Sequence, residues 1–274
     1  MIRLAIVGAG AAGLPAAHAL RSAPVSVTVF EKSRGLSGRA ATRWRDVTDA
    51  RGESFRWRYD HGAQYISAPT NSRSYRLLTE ELDADGLVEI GGTVWPFDDD
   101  GTFRPENARP DSAPRLTYRD GIADLGRRLA EATPDAEIRR STRVGSLHRE
   151  GAEWILRDTE AGSLGRFDAV LLTPPAPQTA DLLAASDLVP SCVRSLREVP
   201  YRSQFTVVLA FTEPVERPEP YALVNPTGGH AIAWLAVESD KPGRAPDGGT
   251  LLLAQMAPTW TQTHYDADRE SVVQ

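Results

Sequence analysis

The chain opens on an unbroken apolar run from Ile2 to Val7, followed at once by glycines at 8, 10 and 13. Small and apolar residues continue from Ala11 to Leu20 as a helix, and Val25 to Phe30 forms a second apolar run closed by Glu31. Strand, glycine turn, helix and strand in this order predict a parallel βαβ unit. Residues 43–58 place Arg and Trp on two arms around Gly52 and predict a hairpin. Asn71 to Leu82 predicts a helix capped by Asn71 or Ser72. From Ile90 to Pro114, prolines and the Asp98-Asp99-Asp100-Gly101 turn predict hairpins and loops. Apolar positions 122, 125, 129 and 132 predict another helix, and Ile138, Val144, Trp154 to Leu156 and Phe167 to Leu172 predict strands. Pro174, Pro175 and Pro177 stop the last strand and predict a rigid crossover. Leu182 to Leu188 and Ser191 to Leu196 then read as helices. Phe205 to Phe211, Ala231 to Glu238 and Thr250 to Met256 read as strands of an antiparallel sheet.

Composition narrows the function classes. With 274 residues, 41% apolar and 25% charged, the chain has the make-up of a soluble globular protein of one large or two smaller domains. A net charge of −6 supplies no basic field for nucleic acid or anionic lipid. No apolar run approaches the ~20 residues that span a bilayer. The single cysteine, Cys192, forms no internal disulfide or multi-cysteine metal site, and the five histidines lack metal-binding spacing. The acidic run at 98–100 lacks a calcium-loop pattern and reads as a solvated turn. The expectation is a reducing, cytoplasmic, metal-free enzyme.

The chemistry concentrates in the first forty residues. Gly8 permits the tight turn, Gly10 lets backbone approach a pyrophosphate, and Gly13 lets helix pack on strand. The helix start, with Ala12, offers N–H groups to phosphates, and Glu31 stands where it would accept hydrogen bonds from a ribose diol. An N-terminal signal peptide is the weaker reading, because glycines break the apolar run and a second strand follows. Lys32 to Arg39 is either a basic solvated loop or a loop folded over the pyrophosphate with Arg39 as donor. Gly62 and Ala63 allow close backbone approach, and His61, Gln64 and Tyr65 add polar and aromatic edges, although a structural histidine fits there too. In Ser239 to Arg244, Lys241 and Arg244 read as an exposed loop or as cations for phosphates. Trp234, on the strand before it, reads as core or as a flat wall.

Together the G-x-G-x-x-G start, Glu31, the Glu-Lys-Ser-Arg-Gly-x-x-Gly-Arg loop at 31–39 and Asp60-His61-Gly62-Ala63-Gln64-Tyr65 resemble renalase and its bacterial relatives. These are flavoproteins of the wider amine-oxidase-like, FAD-dependent group. The Thr173-Pro174-Pro175-Ala176-Pro177-Gln178 segment and the Lys-Pro-Gly-Arg loop at 241–244 extend the likeness over the whole chain. The resemblance implies an α/β fold: a Rossmann-type FAD-binding domain (1–67 and 116–178) interrupted by an antiparallel-sheet plus helix substrate domain (68–115 and 179–274). It implies FAD held by the glycine loop, Glu31, Lys32, Arg39, Val144 and Pro174, with Asp60 to Gln64 lining the ring and His61 and Gln64 bordering the chemistry. Val144 would meet the adenine through its backbone; core packing is its other reading. Tyr65, Trp234, Lys241 and Arg244 would meet the substrate.

The implied reaction is an oxidase step. A dihydronicotinamide dinucleotide, reduced at ring position 2 or 6, returns to NAD(P)+ while O2 becomes H2O2. An amine oxidase or a porphyrinogen- or carotenoid-type oxidoreductase shares the frame. A flavin-free, non-catalytic dinucleotide-binding module is the reading of another class, and an NAD(P)-only dehydrogenase suits the loop after Glu31 less well. Two departures from the pattern stand out. Ser37 replaces one glycine of a doublet, which serine accommodates with a negative φ. The chain also stops at Ser271 to Gln274, in what reads as a starting helix. The resemblance implies a Gly-Asp pair and a further FAD-binding helix beyond that point.

Overall fold

A computed structural model describes residues 1–48, 51–108, 110, 112–186, 188 and 190–268. The helix expected to start at 271–274 therefore lies outside the described residues. The chain divides into two compact units, Met1–Ala40 with Ala123–Tyr201, and Ala41–Ile122 with the chain from Arg202 onward.

The first unit is built on a four-stranded parallel sheet. Its order is Ala169–Leu172, Ile2–Val7, Val25–Phe30 and Glu137–Arg139, so the N-terminal βαβ unit supplies the two central strands. The helix between them runs over Gly13–Ala19, shorter than the 11–20 predicted, because residues 8–12 are taken up by the glycine turn. A second helix, Asp124–Glu131, packs beside the first. An antiparallel meander of Val144–Glu150, Glu153–Asp158 and Ser163–Phe167 supplies the other layer. Phe30, Leu147, Leu156, Phe167 and Leu182 close the core, with the Phe30 and Phe167 rings edge to face at 5.8 Å. Burying each such side chain contributes ~1.5–3 kcal/mol. The proline-rich crossover is a helix start: Ala176–Ala184 begins just after Pro175, where a missing N–H costs nothing.

The second unit carries a five-stranded sheet in the order Thr206–Phe211, Thr250–Met256, Ile232–Val237, Ala222–Val224 and Val94–Pro96. Its pairs are antiparallel except the last, which is parallel. The three-residue strand at 222–224 is too short to show a period and went unpredicted. Thr42–Thr48 and Ser54–Asp60 form the expected hairpin. Strands Ile66–Ser67, Arg115–Tyr118 and Leu87–Glu89 make a small third sheet. The helix predicted over 71–82 has two geometries: an α turn at Arg73–Arg76, capped by Ser72, then a π turn at Leu77–Glu81.

These units divide after residues 40, 122 and 201, whereas the resemblance implied boundaries after 67, 115 and 178. Packing explains the shift. Leu182 enters the first unit's core, and the Leu147 N–H donates to Ser186 Oγ at 2.8 Å, which ties the chain past 178 to the parallel-sheet unit. In the second unit the 42–60 hairpin is held by a backbone bond from Arg58 N to Arg244 O at 2.9 Å.

Candidate active site

Two glycines of the N-terminal loop, Gly8 and Gly13, are required by what surrounds them. Gly8 has φ +102° and lies against Thr173, whose hydroxyl donates to Val7 O at 2.8 Å. A Cβ on Gly13 would fall 1.9 Å from Gly8 O, so only hydrogen fits where the helix meets the turn. Gly10 differs: a Cβ there would approach nothing nearer than Gly38 Cα at 3.9 Å. The protein leaves that side of Gly10 open, as close approach by a pyrophosphate requires. Glu31 is buried, and its carboxylate accepts Ala9 N–H at 2.9 Å and Ser33 N–H at 2.8 Å. It thereby fixes the loop, and each oxygen keeps a lone pair for a diol. The residues present fit a dinucleotide.

The loop at 35–39 packs on this turn, with Ser37 N donating to Ala9 O at 2.9 Å. Ser37 does not have the negative φ with which a serine is accommodated without strain. Its φ is +75°, in the left-handed region, and its buried hydroxyl donates to Ala123 O at 2.9 Å. That bond and the close approach of Gly126 hold a serine where glycine is the ordinary choice. Lys32 is exposed and donates to Gln178 Oε1 at 2.8 Å, while Arg39 is exposed, with its guanidinium 5.8 Å from the Tyr201 ring centroid. Ala12 is exposed beside the glycines, and Pro174 follows Thr173 at the same turn. Val144 is a core side chain.

In the second unit the Asp60–Gln64 segment is anchored by a buried quartet of charges. Asp60 Oδ2 lies 2.6 Å from Arg244 Nη2 and 3.2 Å from Lys241 Nζ. Glu238 lies 2.7 Å from Lys241 Nζ and 3.3 Å from Arg244 Nε, and it accepts the Asp60 N–H at 2.9 Å. All four side chains are fully enclosed. This corrects the expectation that Lys241 and Arg244 present their charges to substrate phosphates: both are paired with acids inside the unit. Burial lifts the Glu238 carboxyl above its ordinary range, against the opposing pull of Lys241.

The turn itself is tied back through its carbonyls. Gln64 Nε2 donates to Asp60 O and Gly62 O, Gln255 Nε2 donates to Gly62 O at 2.7 Å, and Thr206 Oγ1 donates to His61 O at 3.0 Å. Gln64 is buried, and Lys241 Nζ donates to its Oε1 at 3.4 Å. Its amide therefore holds the turn. His61 is half-buried; burial, then Arg43, push its pKa down, with Asp60 opposing.

Tyr65 and Trp234 do come together, with ring centroids 6.1 Å apart. Tyr221 completes the group at 6.4 Å from Trp234, and the Arg115 guanidinium lies over Tyr65 and Tyr221. Sequence reading missed Arg115, Tyr221 and Glu238. None sits in a motif, and a buried cation at 115 looks in sequence like any surface arginine.

Fold and cradle define a dinucleotide-binding protein, and the matching family models make it an FAD-dependent oxidoreductase. Residues 6–80 match an NAD(P)-binding Rossmann-like domain, and residues 85–274 match the flavin containing amine oxidoreductases. The chain belongs to that family. It is similar to renalase from Mus musculus, with 25% identity over 252 residues, 88% of this chain and 67% of the relative. Its fold is shared with a candidate protoporphyrinogen oxidase from Exiguobacterium sp., at TM-score 0.74 and 18% identity over 99% of this chain and 81% of the other. It is shared too with a putrescine oxidase bound to putrescine, at TM-score 0.68 and 14% identity over 98% and 78% of the two chains. No helix among the described residues is long and apolar enough to cross a membrane.

Proposed function

We propose that this FAD-dependent oxidoreductase is a renalase-like oxidase of isomeric dihydronicotinamide dinucleotides. The observation that carries the reading is the likeness to renalase along 88% of the chain. The glycine loop, Glu31 and Arg39 of the first unit hold the dinucleotide of FAD, and Tyr65 and Trp234 of the second meet the flat ring of the substrate. FAD, when bound, would supply the hydride acceptor for a reaction in which dihydro ring, O2 and a proton become NAD(P)+ and H2O2. The chain's own part is to orient. The Asp60–Gln64 turn of the second unit, with its carbonyls tied back, is a rigid stretch of backbone, and burial lowers the pKa of His61 on it.

The test is visible absorbance of the purified protein followed by anaerobic titration. Bleaching by 2- or 6-dihydro-NAD(P), and not by the ordinary 4-dihydro isomer, is the expected result. Bleaching by amines alone would replace this reading with an amine oxidase.

A further inference from the structure

Tyr65, Tyr221 and Trp234 form an aromatic cluster in the second unit, and one cation already lies against it. The Arg115 guanidinium lies 5.8 Å from the Tyr65 centroid and 5.6 Å from the Tyr221 centroid. Arg115 and Tyr221 are buried, whereas Tyr65 and Trp234 keep part of their surface open. Arg115 also donates to Gly92 O, so the guanidinium is fixed in place. Aromatic faces attract cations through their quadrupoles. Here that attraction serves a side chain that cannot lose its proton. The carboxylates that act on Tyr221, Glu238 and Asp60, are paired with Lys241 and Arg244 and leave little counter-charge for an incoming ammonium.

The same group holds two donors in need of an acceptor. Tyr221 Oη and Trp234 Nε1 are buried, and neither has a hydrogen-bond partner among the described residues. A buried donor without a partner is a group that an acceptor would satisfy.

We propose that Arg115 is the specificity-determining residue of an aromatic subsite formed with Tyr65, Tyr221 and Trp234. This subsite takes a flat neutral or anionic ring carrying an acceptor oxygen and refuses a cationic amine. The inference rests on the substrate reading above and sharpens it, since it separates a dinucleotide ring from an amine on charge alone.

The experiment is isothermal titration of the FAD-loaded protein with nicotinate, nicotinamide and benzylammonium. Nicotinate is expected to bind about tenfold or more tighter than benzylammonium, the scale of one like charge removed at short range. In Arg115→Met that preference should fall to about threefold or less, because the repelling charge is gone. Trp234→Phe, which keeps a ring and removes the donor, should weaken nicotinate and nicotinamide and leave benzylammonium unchanged. Equal binding of nicotinate and benzylammonium by the unmodified protein, or no binding of either nicotinyl probe, would overturn the proposal. So would an unchanged ratio in an Arg115→Met protein of normal melting and FAD content. If that variant fails to fold, the unmodified protein and Trp234→Phe still decide. Failure to turn over dihydronicotinamides with the ligand ratio intact would remove the substrate reading and leave the subsite standing.

Discussion

Asp60 and Arg244 stand 184 positions apart in the chain and meet at 2.6 Å with neither side chain exposed. Their contact joins the Asp60–Gln64 turn to the Lys-Pro-Gly-Arg loop, two segments that look like separate motifs in sequence. Asp60 Oδ1 also accepts Thr42 Oγ1 at 2.6 Å and Ile122 N–H at 3.0 Å, so one carboxylate gathers four distant stretches of the second unit. The quartet is balanced, with two acids against two bases, as a buried cluster must be to offset desolvation.

Breaking that balance should be costly. Asp60→Asn keeps the size of the side chain but leaves Lys241 and Arg244 facing a single carboxylate. Removing one partner of a buried pair costs about 3–5 kcal/mol, and the urea midpoint should fall accordingly. A charge-balanced double change, Glu238→Gln with Lys241→Met, removes one acid and one base. It should cost less than the two single changes combined. Additive losses in that cycle would mean the four charges act independently.

His61 gives a pH signature. Its folded pKa is lowered below the ordinary 6.5, first by burial and then by Arg43. The unfolded chain therefore binds the proton more readily, and stability rises with pH between the folded value and 6.5. The contribution is fully present above 6.5 and is lost as pH falls through the folded value. His61→Gln should flatten that part of the stability profile. An imidazole titration in the folded protein with its midpoint at or above 6.5, followed by NMR, would contradict this assignment.

Much of the first unit could be read directly, because local backbone geometry dictates residue type there. Gly8 makes the tight turn and Gly13 the close packing that their spacing says, and Glu31 closes the second strand and ties the loop. Ser37 was legible as a departure, but its sign of φ was not. A hydroxyl bond to Ala123 is a tertiary fact that the motif does not contain. The second unit was harder for the same reason. Lys241 and Arg244 look like free cations until folding brings Asp60 and Glu238 to them. Arg115 and Tyr221 gain meaning only from the rings beside them.

Ser37 offers a test of opposing small terms. Ser37→Gly relieves a left-handed backbone, worth ~1–2 kcal/mol, and loses a hydrogen bond worth ~1 kcal/mol. The two nearly cancel, so the melting temperature should hardly move. Ser37→Ala keeps the strain and loses the bond, and should cost ~1–2 kcal/mol. Gly126→Ala should be worse than either, because its Cβ would lie 2.3 Å from Ser37 Oγ and 2.8 Å from Ser37 N. Thermal melts of the three variants in that order check the account.

Gly10 and Gly13 separate folding from cofactor binding. At Gly13 a methyl group meets Gly8 O at 1.9 Å, so Gly13→Ala should destabilise the first unit and lose FAD together. At Gly10 the nearest atom is 3.9 Å away, and the residue has an ordinary negative-φ backbone that alanine accepts. Gly10→Ala should therefore melt like the unmodified protein. Its methyl would, however, stand where the pyrophosphate must come against the backbone. The expected phenotype is a normally folded protein that is purified colourless or releases its yellow cofactor at least ~tenfold more readily, about 1.4 kcal/mol of lost binding. Normal melting with full FAD content would mean that the pyrophosphate does not cross Gly10, and the cradle would have to be redrawn around the neighbouring Ala11 and Ala12.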